Sequence, residues 1–171
     1  MARRYWLFKS DPETFAWADL RAARGGAVVW DGVRNYQARN TLRDDVQVGD
    51  GVLFYHSGSD KAVVGTARVV QAGHPDATQF DPKHAGFDPG ASRDAPRWYA
   101  VGVVPDAEFA APVSLSALRG APGLEGMVLL TKGSRLSVQP VTAAEWGIVT
   151  RLGRASAPGV NVRGRRPSPR R

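Results

Sequence analysis

The chain has 171 residues and a mass of 18.4 kDa, the size of one domain or of one domain with an appendage. Hydrophobic residues make up 43% and charged residues 23%, which supports a sizeable core and argues against disorder throughout. Cysteine is absent, so disulfide frameworks, thiolate metal sites and cysteine nucleophiles are excluded together.

Charge is unevenly spread. Lys and Arg number 23 against 16 Asp and Glu, a formal +7, yet six arginines and no acid fall between Arg154 and Arg171. Without them the balance is 17 against 16, or +1. The expected organisation is a near-neutral folded domain over 1–153 and an Arg-rich flexible tail over 154–171. Such a tail suits phosphate neutralisation with counterion release, or serves only as a solubilising end. No apolar run approaches the roughly 18 residues that span a bilayer, and Asp11 comes too early for a secretory signal. A cytoplasmic or nucleoid location is expected, with no membrane partner.

Tyr5 to Phe8 reads as a short strand buried on both faces. Ser10-Asp11-Pro12-Glu13 has the pattern of a helix start, with Ser10 as N-cap, and the helix is expected to run through Phe15, Trp17 and Leu20 to Gly25-Gly26. Ala27 to Trp30 reads as a second strand, and Val33 to Leu42 as a short helix. Val52 to Ser57 and Ala62 to Val70 form an antiparallel pair across a turn at Gly58-Ser59-Asp60. Gly73 to Pro96, with four prolines, is expected to be a long loop. Arg97 to Val104 is a further strand and Leu115 to Leu118 a helical turn. Met127 to Leu130 and Leu136 to Val141 bracket Thr131 to Arg135. Thr142-Ala143-Ala144-Glu145 opens a last short helix through a capping box. The whole predicts an α+β domain around a bent, mostly antiparallel sheet.

Catalytic motifs are missing. The three histidines, His56, His74 and His84, have no ligand spacing, and no nucleophile elbow, P-loop or dinucleotide fingerprint occurs. No metal and no cofactor is expected. The unusual feature is polar and aromatic side chains together at strand ends. Phe8-Lys9-Ser10 leaves the first strand, Trp30 to Asn40 leaves the second, and Tyr55-His56-Ser57 ends the third. Convergence of those ends would bring an aromatic wall to amide, hydroxyl and cationic donors, the means by which an extruded base is read. A plain structural role for the same residues is equally open: Trp30 and Tyr55 in the core, Asn35 and Arg39 capping or facing water.

The segments Tyr5-Trp6-Leu7-Phe8-Lys9-Ser10-Asp11-Pro12, Trp30 to Asn40 and Gly49 to Ser57 resemble the successive signatures of the EVE domain. The resemblance continues through Val64 to Ala67, Trp98 to Val101 and Arg135 to Val141, and covers Tyr5 to about Val149. It implies a PUA-like fold, a small, partly open β-barrel with flanking short helices, related to the YTH readers of methylated adenine in RNA. It also implies a monomeric, non-catalytic reader of a modified base, with modified cytosine in DNA favoured and RNA as the other ligand class. By that resemblance Trp30 is a cage aromatic, Lys9 and Ser10 follow the first strand beside it, and Asn35 and Tyr36 line the mouth. Arg39 and Arg135-Leu136-Ser137 then face backbone or base edge, with Tyr55, His56, Ser57 and Trp98 as further wall residues. Phe80 and Phe87 are the long loop's candidates for a second cage wall. The alternative from another class is a small hydrolase or base-modifying enzyme with Lys9 as a desolvated general base.

Overall fold

The computed structural model describes residues 2–23 and 26–155. The predicted flexible tail therefore lies outside the described residues, except for Arg154 and Ala155, which end a helix. Six strands form one sheet: β1 Tyr5–Ser10, β2 Val28–Trp30, β3 Gly51–His56, β4 Ala62–Pro75, β5 Tyr99–Ser114 and β6 Val138–Val141. Their order is β2-β5-β4-β3-β1-β6, with β1 and β3 parallel and every other pair antiparallel. The class is α+β as expected, and the sheet is not closed into a barrel: β2 and β6 are its two edges. Four helices flank it: α1 Trp17–Ala22, α2 Tyr36–Asp44, α3 Leu115–Arg119 and α4 Ala143–Ala155.

Alternation along β1 explains how the core divides. Trp6 and Phe8 join Trp17, Leu20, Trp30, Leu42 and Phe54 on one face of the sheet. Leu7 joins Leu53, Leu118, Leu124, Met127 and Val149 on the other. Asp50 anchors the start of β1 from the side, accepting from Trp6 Nε1 at 2.9 Å and from the Arg4 amide at 3.1 Å.

The expected helix beginning at Ser10 is a turn instead. Ser10 Oγ donates to the Phe15 carbonyl, and the Asp11 carboxylate accepts from the Glu13 amide, so both capping groups are used locally. The helix starts at Trp17, where Asp19 accepts from the Ala16 amide at 2.7 Å and His56 Nε2 accepts from the Trp17 amide at 3.0 Å. Gly26, at φ +85°, turns the chain into β2; Gly25 lies outside the described residues.

The other corrections lengthen strands and helices. β4 runs on to Pro75, so the expected loop from Gly73 shrinks to the stretch after it. β5 continues past Pro105 and Pro112 because its register with β4 shifts beside each, which relieves the ladder of the missing proline donors. Met127 to Leu130 holds a single 3-10 turn. The Thr142–Glu145 capping box forms in both directions, at 3.0 and 3.1 Å, and opens a helix of 13 residues rather than a short one. Gly73 is required by packing: a Cβ there would stand 2.5 Å from the Leu42 carbonyl of α2.

Candidate functional site

The chain between β4 and β5 lacks regular pairing and is held by side chains. Gln79, fully buried, donates to the carbonyls of Asp76 and Trp98 and accepts from the amides of Arg97 and Trp98, at 2.7–2.9 Å. Trp98 Nε1 donates to Asp88 at 2.7 Å, and Arg97 pairs with the same carboxylate. Trp98 is thus a buried strut.

Asp76, also fully buried, ties this stretch to the segment after β2. One oxygen accepts from the Gly32 amide and Arg34 Nη1; the other accepts from the Thr78 amide and hydroxyl. Burial pushes the Asp76 carboxyl up, but the hydrogen bonds from Thr78, Gly32 and Arg34 outweigh it and hold the pKa below the ordinary value. The Arg34 guanidinium also donates to Thr78 Oγ1 at 3.0 Å and to the Gly86 carbonyl at 2.7 Å, while its carbon lies 5.4 Å from the Trp98 ring centre.

These ties enclose a cavity of about 670 Å³ at the end of the aromatic face. Trp30 forms its wall. The indole meets Phe8 at 5.2 Å, the edge of Phe15 at 5.9 Å and Phe54 at 5.4 Å, and it retains 8% exposure. These rings fix its plane, so a flat ligand would meet a surface that needs no rearrangement. The volume lies within the range of small-molecule sites.

The structure brings Lys9, Ser10, Trp30, Asn35 and Ser137 to this cavity. Ser137 arrives because its carbonyl accepts from the Lys9 amide at 2.8 Å. Lys9 borders the cavity, but its ammonium lies 6.0 Å from the Tyr55 ring centre, and burial holds its pKa below the usual lysine value. Asn35 has a second task as N-cap of α2, accepting from the Ala38 amide at 3.0 Å.

The remaining predicted residues lie outside the cavity lining. Tyr36 is 55% exposed and meets Trp98 at 5.0 Å with its ring tilted by 30°, and the Arg39 guanidinium carbon lies 5.0 Å from the tyrosine ring centre. Arg39 also donates to the Arg97 carbonyl at 2.6 Å. Tyr55 is buried in the aliphatic half of the core. His56 is buried between the Trp17 amide and Asp60, with Nδ1 3.2 Å from Asp60 Oδ2. The Ser57 amide donates to the Ser10 carbonyl, Arg135 is exposed before β6, and the Leu136 carbonyl accepts from Gln139 Nε2 at 2.9 Å. Of the long loop, neither Phe80 nor Phe87 reaches the cavity; His84, Ala85 and Gly86 do.

Sequence reasoning missed the second aromatic, Phe15, and the polar groups Asp31 and Arg34. Both of the latter stand in the segment that follows Trp30, where proximity to the indole was the available signal. Burial, followed by repulsion from Asp76, raises the pKa of Asp31 above the ordinary carboxyl value.

A second cavity, of about 450 Å³, lies between β5 and α4 and is bordered by Asp106, Glu108 and Trp146. Arg3 and Arg154 face those two carboxylates across it, so its lining is balanced in charge. Among the described residues no helix is long and apolar enough to cross a membrane.

The fold is an open six-stranded α+β sheet with flanking helices and an indole-walled cavity at its strand ends. The chain belongs to the EVE domain family, whose signature matches residues 4–152. It is 38% identical to thymocyte nuclear protein 1 of Danio rerio over 166 residues, 86% of this chain and 71% of that one. A crystal structure of human THYN1 protein in complex with 5-methylcytosine-containing DNA superposes with a TM-score of 0.81 at 36% identity, covering 88% of this chain and 97% of that one. A hypothetical protein from Leishmania major superposes at 0.82 with 40% identity, covering 89% and 95%.

Proposed function

We propose that this protein is a non-catalytic reader of modified DNA that holds one unpaired or extruded base, with 5-methylcytosine favoured, in the cavity beside Trp30. The observation that carries the reading is an indole fixed by three rings yet bordering a cavity with room for a nucleotide, in a chain that superposes on human THYN1 protein with its 5-methylcytosine DNA. Trp30 supplies stacking, worth about 1–3 kcal/mol per base. A methyl group adds roughly 1 kcal/mol by burial, so selectivity must come from shape and from polar groups that a wrong base would leave unpaired. Ser10, Asn35 and Ser137 are the polar groups assigned to the bound nucleotide. Tyr36, backed by Trp98 and Arg39, is an exposed ring beside Asn35 and suits the neighbouring nucleotide. The arginines beyond Ala155 would supply sequence-independent affinity for phosphates.

The enzymatic alternative asks Lys9 to act with an acid. Among the described residues no carboxylate pairs with the Lys9 ammonium, which sits over Tyr55 instead. That supports binding without turnover.

The test is calorimetry with paired oligonucleotides that differ by one 5-methyl group. The protein should prefer the methylated strand, and Trp30→Ala should lose about 1–3 kcal/mol of affinity, with folding checked by circular dichroism. Equal binding of both strands would end the reading, and a preference confined to RNA would move it to the other ligand class.

A further inference from the structure

Asp31 follows Trp30 directly and borders the same cavity. Its carboxylate accepts from its own backbone amide and is in no salt bridge among the described residues, whereas Asp11, the other acid on the cavity, accepts from the Glu13 amide. The charged and titratable groups around Asp31 are Asp76, Arg34 and His84, with Lys9 and Asp11 further along the wall. His84 and then Arg34 favour its ionised form, and the arginine makes four hydrogen bonds, to Val33, Asp76, Thr78 and Gly86. It is therefore committed to Asp76 and acts on Asp31 only from a distance, without a salt bridge. Burial, followed by the negative charge at Asp76, favours the neutral carboxyl and outweighs His84, Arg34 and the residue's own amide, which favour the ion.

The edge of cytosine presents an amine donor at N4 beside an acceptor at N3. An ionised carboxylate satisfies only the amine and sets its second oxygen against the N3 lone pair. A neutral carboxyl satisfies both, because its carbonyl oxygen accepts from N4 and its hydroxyl donates to N3. The C5 position lies on the far side of N4, so an edge held this way leaves the methyl group to be sensed elsewhere on the wall.

Resting on the function proposed above, we propose that Asp31 reads the N3/N4 edge of the bound cytosine through two hydrogen bonds as a neutral carboxyl, so that base binding takes up a proton. The sign follows from linkage. A group that is neutral when bound and ionised when free makes binding stronger as pH falls. The gain reaches about tenfold per pH unit between the free and the bound pKa.

The experiment uses the full chain and a single-stranded oligonucleotide carrying one 5-methylcytosine, from pH 5.5 to 8, in buffers of differing ionisation heat. The wild type should take up about one proton and weaken as pH rises. Asp31→Asn presents the same donor and acceptor without titrating. It should show a flat profile and bind at least as tightly as the wild type across the range, with the gap widening as pH rises. Asp31→Ala should weaken binding at pH 5.5 by roughly 5- to 150-fold, the range for one good bidentate pair. His84 is retained in both variants, so any slope it produces persists in Asp31→Asn and is subtracted. A methyl preference that depends on Trp30 but shows no proton uptake, with all three proteins alike, would overturn this inference and leave the reader intact. Weaker binding in Asp31→Ala without proton uptake would overturn it too, reducing the interaction to a single bond from N4. Absence of any methyl preference in the wild type would overturn the reader itself and this inference with it.

Discussion

The two faces of the sheet are built from different materials. On one, Trp6, Phe8, Trp17, Trp30 and Phe54 meet mainly edge to face or tilted, as Trp17 meets Phe54 at 82°. On the other, Leu7, Leu53, Leu118, Leu124 and Met127 are covered by α3, α4 and the turns before β6. Branched aliphatic side chains interlock and fill the centre of that face, and the cavity between β5 and α4 is left at its margin, beside Phe109 and Trp146. Rings locked edge to face leave a rigid plane wherever one partner is withheld, and the face ends in a cavity. A stable half and a receptive half follow from the alternation of a single strand, β1.

Substitutions on either face test that contrast. The largest effect is expected at Asp76, which holds the receptive side together. Asp76→Ala strands Arg34 and the Gly32 and Thr78 amides and should cost about 3–5 kcal/mol of stability in denaturant titration, with loss of base binding. The same carboxylate sets an acid limit. Its folded pKa is depressed, so its contribution is present above the unfolded value of about 3.9 and is lost as pH falls below that through the folded value. A wild type that keeps the full advantage over Asp76→Ala at pH 2 would contradict this.

Next is Leu118→Ala on the aliphatic face, expected to cost about 2–5 kcal/mol of stability while leaving base affinity of the folded protein unchanged. An affinity loss there would show that the two faces are mechanically one. Trp30→Phe keeps an aromatic in the core but a smaller ring at the cavity, and should lower base affinity by about 1 kcal/mol with the methyl preference diminished. The smallest change concerns charge. Ending the chain after Ala155, at the close of α4, removes five arginines and no acid. The slope of log affinity against log salt should flatten, by about 0.9 for each duplex phosphate that is no longer neutralised, while nucleoside binding stays the same. Equal slopes would make the removed residues inert.

Much of the fold was legible because local chemistry dictated it. The capping box at Thr142 and Glu145, the hairpin of β3 and β4 and the buried run of β1 each follow from a few adjacent residues. The misread helix at Ser10 shows the limit. Its residues satisfy a capping pattern, and the choice between helix and turn was made by His56, 39 residues from the Trp17 amide it caps. The site was half legible for the same reason. Trp30 and Ser10 stand at strand ends and Asn35 at the start of α2, where exposure to a cavity is readable from position. His56, Tyr55 and Trp98 look alike in sequence, yet they are buried supports whose partners lie on other elements. The Arg34–Asp76 tie joins groups 42 residues apart through side chains alone, and no periodicity records it.

The position of β1 has a consequence for synthesis on the ribosome. This strand is made first, yet it lies between β3 and β6, whose pairing residues are as distant as Val138 to Val141. One side of Trp6-Leu7-Phe8 finds its partner after some fifty residues have been made, and the other must wait for nearly the whole domain. During that interval an apolar strand presents a bare edge, the kind of template on which nascent chains associate with one another. Arg3, Arg4 and Lys9 bracket it with positive charge, and repulsion between such edges is a defence that operates before the fold exists.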